Sequence, residues 1–158
     1  MAAAGSSLPL VYLFGLPGAG KNHVGELLRD GWGLEFADAD EWLLDDMRDS
    51  LARGEGFTPE QRDRYYAEVA SRIGALKEVA VVRGDGRGLA VAQATFKVQH
   101  RELIKAAHTE AQVWWVRADE QERMKRLQLG GNRVDETLGA KMLADFEAPW
   151  ASGTLRKQ

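Results

Sequence analysis

The chain predicts an α/β fold, with helices layered around a mainly parallel sheet. Three observations carry this. Short apolar runs alternate with stretches of helical periodicity, in the order βαβααβαβαα. The first run, Leu8 to Phe14, is apolar without alternation, as in a strand buried on both faces. A glycine-rich turn follows that run directly and opens onto a helical pattern.

The elements follow in order. Met1 to Ser7 is small and polar, the composition of a frayed terminus. After the first strand, Gly20 to Asp30 reads as a helix from Val24, Leu27 and Leu28, stopped by Gly31 and Gly33. Leu34 to Ala37 reads as a short strand, and Asp40 to Leu51 as a helix carrying Trp42, Leu43, Leu44, Met47 and Leu51. Thr58-Pro59-Glu60-Gln61 is a helix start, with Thr58 as N-cap and Pro59 at the first helical position, and the helix runs to about Leu76. Either Val79–Val82 or Leu89–Ala92 supplies the third strand; the second is preferred, because the next helix begins soon after it. Thr95 to Ala107 is helical, Ala111 to Val116 a buried strand, Glu120 to Leu129 a helix, and Glu136 to Phe146 the last helix.

Size and composition fit this scheme. The 158 residues make one domain, long enough to bury a core without staples. There are no cysteines, which removes disulfides, thiolate metal sites and cysteine nucleophiles. Net charge is −3 with both signs mixed along the chain, so no broad attraction to nucleic acid is expected. The start lacks a basic region of the signal-peptide kind, and Leu8 to Leu16 is too short an apolar run to span a bilayer. A cytoplasmic protein with no membrane partner is the expectation.

Gly15-Leu16-Pro17-Gly18-Ala19-Gly20-Lys21-Asn22 fits the P-loop pattern G-x-x-x-x-G-K, with Asn where the pattern has Ser or Thr. Glycines let main-chain N–H groups turn toward phosphate oxygens, and the helix that follows points its positive end at the same anion. Lys21 reaches the β- and γ-phosphates in this reading. The nucleotide-binding set is Gly15, Pro17, Gly18, Ala19, Gly20, Lys21, Asn22 and His23. The hydroxyl that Asn22 replaces is a Mg²⁺ ligand; the Asn amide oxygen is hard enough for magnesium, directly or through water, but sits one bond further out.

Phe36-Ala37-Asp38-Ala39-Asp40 puts two carboxylates at the end of the second strand, where ligands of open α/β sheets sit. Alternation sends Asp38 and Asp40 to one side. One suits the Mg²⁺ shell, Asp38 through water, and the other, Asp40, an acceptor hydroxyl. The simpler reading of Asp40 is a cap on the next helix. Lys97 and Arg101 share a helix face and read either as a clamp on an anionic substrate or as a solvated basic face. Arg123, Lys125, Arg126 and Arg133 surround Gly130-Gly131, the composition of a basic lid over about 126–136, or of a helix end enriched in cations. His23, His100 and His108 lack metal-ligand spacing, and Trp114 and Trp115 read as core packing.

With these residues in place, the chain resembles the small gluconate kinases, relatives of shikimate kinases and nucleoside monophosphate kinases, from about Leu10 to Pro149. Asp38-Ala39-Asp40 looks like the family's D-G-D, and Thr58-Pro59-Glu60-Gln61-Arg62 like its T-D-E-D-R, which makes Arg62 a substrate-side cation. Ala92 to Lys97 with Arg101 resembles C-S-A-L-K-x-x-Y-R, and Phe146-Glu147-Ala148-Pro149 resembles L-E-x-P. The resemblance implies a three-layer P-loop fold with sheet order 2-3-1-4, ATP and Mg²⁺ as cofactors, and a small anionic acceptor, gluconate-like. Lys21, Asp40, Arg126 and Arg133 would be catalytic, and Asp38, Asp40, Arg62, Lys97 and Arg101 would meet the substrate.

The chain also departs from the family. The H-P after D-G-D falls on Leu43-Leu44, the lid His near Asn132 and its Arg near Leu129. The chain ends at Gln158, where the family continues into a fifth strand; a homodimer partner over that edge and a longer natural chain are both compatible with this. A kinase with another acceptor, and a nucleotide-binding module without catalysis, stay open beside the gluconate reading.

Overall fold

The computed structural model describes residues 8–129 and 136–149. Four strands build the sheet: β1 (Leu10–Phe14), β2 (Glu35–Asp38), β3 (Leu89–Ala92) and β4 (Gln112–Trp115). Their order is β2-β3-β1-β4 and every pairing is parallel, as the resemblance implies. Among the described residues, β4 forms the outer edge beyond β1.

β1 explains why its sequence is apolar throughout. Leu10, Tyr12 and Phe14 enter one core with Met47, Tyr65, Tyr66, Val69, Ile73 and Ile104. Val11 and Leu13 enter a second core with Leu28, Leu34, Ala90 and Ala92. Successive side chains of a strand point to opposite faces, so a central strand covered on both sides needs apolar residues at every position. Each such side chain contributes about 1.5–3 kcal/mol by leaving water.

The helices are α1 (Lys21–Trp32), α2 (Asp45–Ala52), α3 (Pro59–Arg83), α4 (Val98–Ala107), α5 (Glu120–Leu129) and α6 (Glu136–Asp145). Helix α1 packs on the second core, and α3 with α4 on the first, which gives the three layers. No helix among the described residues is long and apolar enough to cross a membrane.

Several boundaries differ from the sequence reading. Helix α1 passes through Gly31 and ends at Gly33, whose N–H donates back to the Arg29 carbonyl. The helix read over Asp40 to Leu51 is two pieces: a 3-10 turn at Ala39–Trp42, then α2. Asp38 caps that turn by accepting from the Asp40 N–H at 3.0 Å, so the cap belongs to Asp38 and not to Asp40. Helix α3 begins with the expected capping box, Thr58 and Gln61 each bonding the other's N–H, but continues to Arg83. Val79–Val82 is therefore helix, and Leu89–Ala92 is the third strand. The guanidinium of Arg83 pairs with Glu35 at 2.6 Å and with Asp85, tying the end of α3 to the start of β2. Helix α4 starts at Val98, not Thr95, because Thr95 has φ 46°, outside the helical region. β4 is not buried on both faces: Gln112 and Trp114 are exposed, Trp114 by 40%. Val113 and Trp115 turn inward, Trp115 stacking on Phe14 and Phe146 at centroid separations of 6.3 and 6.0 Å. Met1 to Ser7 lies outside the described residues.

Candidate active site

The loop from Gly15 to Gly20 joins the carboxyl end of β1 to the amino end of α1. Gly15 and Gly18 show how its geometry demands glycine. A Cβ on Gly15 would sit 2.3 Å from the Val116 carbonyl oxygen. Gly18 has φ 82°, and a Cβ there would lie 2.6 Å from the Arg123 carbonyl oxygen. Gly15 N–H donates to the Ala94 carbonyl and Ala19 N–H to the Leu16 carbonyl, which closes the turn. The first-turn N–H groups of α1, from Lys21 on, face outward without intrahelical acceptors, as at any helix start. Pro17 and Gly18 are half-buried, Ala19 is buried, and Asn22 and His23 are exposed.

Lys21 folds back over this turn. Its Nζ donates to the carbonyls of Gly15 at 2.8 Å and Leu16 at 3.0 Å. Burial pushes its ammonium down to about 8; Asp40 and Asp38 act in the opposite direction and Arg123 in the same one. An ammonium held by main-chain carbonyls at the turn is well matched to an anion arriving there.

Three side chains from separate elements meet beside it. Asn22 Nδ2 donates to Asp38 Oδ2 at 3.0 Å. With its nitrogen so committed, the Asn22 carbonyl oxygen is left for another partner. Asp40 accepts from Gln93 Nε2 at 3.1 Å. Its surface is open to solvent, yet protein crowds its inner side, and this raises its carboxyl above the usual carboxylate range. Asp38 adds to the rise, while Lys21 and the Gln93 bond oppose it. Among the described residues no three His, Cys, Asp or Glu side chains cluster as a metal cage. The donor set is instead one amide oxygen and two carboxylates, hard oxygens of the kind that hold magnesium together with phosphate and water.

A cavity of about 230 Å³ lies at the start of α3 and α4, lined by Pro59, Arg62, Lys97, Gln99, His100 and Glu147. Arg62 and Lys97 therefore line one cavity. Arg62 also lies over the Phe96 ring at 5.9 Å. Arg101 is not brought to this cavity. It is 6% exposed, its guanidinium 4.4 Å from the Phe14 ring centroid and 5.5 Å from that of Phe146, and it donates to the Glu147 carbonyl. Burial holds it below the ordinary arginine range.

On the other side of the loop, Arg126 donates to the Gly18 carbonyl at 3.2 Å and pairs with Glu122 at 3.3 Å. Arg133, Gly130, Gly131 and Asn132, read as part of a lid, lie outside the described residues. Two residues matter more than the sequence suggested. Arg123 is 1% exposed and donates to the Pro17 carbonyl at 3.2 Å. Gln93, at the exit of β3, connects Asp40 to the core. A signal existed for Gln93, since a polar residue directly after a fully apolar strand stands at the carboxyl edge of the sheet. No comparable signal marked Arg123 among its charged neighbours.

No family model matches the chain, and no curated protein matches it. Solved structures do. A gluconokinase from Sinorhizobium meliloti 1021 superposes with a TM-score of 0.74 at 17% identity, over 92% of this chain and 78% of that one. A sugar kinase from Janibacter sp. HTCC2649 gives 0.74 at 21% identity, over 89% and 79%. A shikimate kinase from Acinetobacter baumannii, solved with shikimate, gives 0.54 at 22% identity, over 90% and 76%. At such identities the likeness is one of fold, and the fold is that of the small P-loop kinases.

Proposed function

We propose that this P-loop chain is an ATP-dependent phosphotransferase that moves the γ-phosphoryl group to a hydroxyl of a small anionic metabolite, a gluconate-like sugar acid foremost. One observation carries the reading: Lys21, Asp40 and the cavity residue Lys97 follow the carboxyl ends of β1, β2 and β3, which are neighbours in the sheet. Nucleotide phosphates, reacting hydroxyl and substrate anion each have a complementary group there. The kinase neighbours and the resemblance to gluconate kinases point the same way.

In the reaction, the acceptor hydroxyl bonds to the γ-phosphorus as the bond to the β-bridging oxygen breaks, leaving ADP. The hydroxyl proton passes to Asp40. The loop amides and Lys21 hold the phosphates, and Arg126 sits where it can meet charge on the transferring group; the same charge-neutralising role is proposed for Arg133, which lies outside the described residues. Arg62 and Lys97 grip the acceptor's carboxylate or phosphate, and Arg101 adds positive field from behind Glu147. Asn22, through its carbonyl oxygen, and Asp38, directly or through water, are the residues that would hold Mg²⁺. Bound there, magnesium would supply charge neutralisation to the nucleotide phosphates.

The Asn22–Asp38 hydrogen bond favours a second reading, a nucleotide-binding module without turnover, because it ties up the residue that stands in the place of the usual hydroxyl. A panel of sugar acids, shikimate-like acids and nucleosides, read by ADP release with and without Mg²⁺, separates the two. Saturable, acceptor-dependent release supports the kinase; nucleotide binding without release supports the module. If Lys21→Ala leaves nucleotide affinity unchanged, both fall.

A further inference from the structure

We propose that Gln93 is the positioning residue for Asp40, holding that carboxylate toward the acceptor hydroxyl through a hydrogen-bond network anchored in the core. The inference rests on the phosphotransferase reading above. It starts from the orientation of one amide. Gln93 is 7% exposed, and its Oε1 accepts from the Thr95 N–H at 2.6 Å and the Tyr66 hydroxyl at 2.7 Å. The Thr95 hydroxyl lies 3.1 Å from the same atom. A main-chain N–H can only donate, so the carbonyl end of Gln93 must face Thr95. The amide nitrogen is thereby turned to Asp40, where it donates to Oδ1 at 3.1 Å.

The anchors are themselves fixed. Tyr12 is fully buried, and its hydroxyl and that of Thr95 are 2.7 Å apart. Tyr66 packs edge-on against Tyr65 at 5.0 Å and stacks on His100 at 4.3 Å. Burial keeps the Tyr66 hydroxyl well above its ordinary range, so it stays a donor. Thr95 holds a positive φ of 46° although it is β-branched, a conformation that costs about 1–3 kcal/mol and persists only where neighbours over-determine it. Strain of this kind at the mouth of a site points to a functional demand on the backbone. Here it brings the Thr95 N–H and hydroxyl onto one atom of Gln93. From the other side, Asp38 Oδ1 accepts from the Asp40 N–H, which fixes the Asp40 main chain. The side chain then keeps its two torsions, and the bond from Gln93 to Oδ1 restrains both.

The test uses the full chain. Gln93→Met keeps the length and removes the donor; Gln93→Glu keeps the acceptor for Thr95 and Tyr66 and removes the donor as well. The expected result is a fall in kcat of about tenfold to a hundredfold with KM for ATP within about twofold, the signature of a misplaced reacting group. In parallel, the side-chain amide NMR signals of Gln93 are expected to exchange slowly in the native chain and to shift in Asp40→Ala. A folded Gln93→Met with unchanged kcat overturns the proposal, as do Gln93 amide signals indifferent to Asp40→Ala. Should Gln93→Met fail to fold, Gln93→Glu decides the kinetic question. A native chain with no acceptor-dependent ADP release sinks the phosphotransferase reading instead, and the NMR arm still judges the Gln93–Asp40 tie.

Discussion

The Arg123 guanidinium donates to the Pro17 carbonyl at 3.2 Å, joining α5 to the phosphate loop across 106 residues of sequence. Its second terminal nitrogen, Nη2, is buried without a hydrogen-bond partner among the described residues. A buried cation with one weakly placed acceptor gives little net stability, and an apolar replacement of similar reach is often neutral or stabilising. The expected outcome for Arg123→Leu is a urea midpoint equal to or above the native one, with ATP affinity reduced about tenfold because the loop loses a charge-assisted bond. Chemical denaturation and calorimetric titration read the two effects separately. A large loss of stability with unchanged affinity would show that Arg123 serves packing alone.

Two glycines predict opposite responses to one methyl group. Gly18→Ala places Cβ against the Arg123 carbonyl oxygen at φ 82°, and is expected to lower stability by about 1–3 kcal/mol and weaken ATP binding together. Gly31→Ala lies inside α1 with nothing within 4 Å of its Cβ, and is expected to raise stability by about 0.5–1 kcal/mol. Thermal and urea unfolding of the pair check this, and a stabilising Gly18→Ala would contradict the loop geometry.

Lys77 pairs with Glu110, and its Nζ also lies 3.1 Å from His108 Nδ1. The hydrogen bond from Lys77 holds the Glu110 carboxyl below its ordinary value of 4.5. A folded value below the unfolded one means stability that is fully present above the unfolded value and lost as pH falls through the folded one. Glu110→Gln is therefore expected to be less stable than the native chain at pH 7, with the gap closing as the pH is lowered below 4.5. Urea midpoints across the acid range give the test; a gap that stays constant with pH would mean that the pair's charge contributes nothing.

The capping box at Thr58 and Gln61 closes the first turn of α3 by paired bonds of 3.1 and 2.9 Å. Thr58→Ala is expected to lower stability by about 1 kcal/mol, measured as a shift in urea midpoint at unchanged slope. Because Arg62 stands in the next turn, acceptor KM should rise in the same variant.

The sequence analysis located what local chemistry announces. Continuous apolarity marked β1, the Thr58-Pro59 start marked α3, and the glycine spacing marked the phosphate turn, because each is a short-range signature. It misjudged what tertiary contact decides. Helix α3 runs past Leu76 because Val79 and Val82 are tolerated on an exposed face, where neither core packing nor a breaker intervenes before Gly84. Asp40 does not begin a regular helix, because the Asp38 side chain draws its N–H into a 3-10 turn. The spacing puts Lys97 and Arg101 on one helix face, yet Lys97 is only the N-cap of α4 and lines a cavity, while Arg101, inside the helix, lies beneath Phe14 and Phe146, a division that depends on where α6 leaves Phe146. Gln93 and Arg123 have partners 53 and 106 positions away; the place of Gln93 after an apolar strand marks it locally, but no local pattern names either partner.

Helix α3 is a single rod of 25 residues, about 37 Å from end to end. It carries Arg62 at one tip and the Arg83 ties to Glu35 and Asp85 at the other. A stiff lever converts small angles into distances: pivoting by about 3° would carry the far tip about 2 Å. Surface changes at Glu35 or Asp85, remote from any reacting atom, would thus be felt as a looser hold on the acceptor while the protein stays folded.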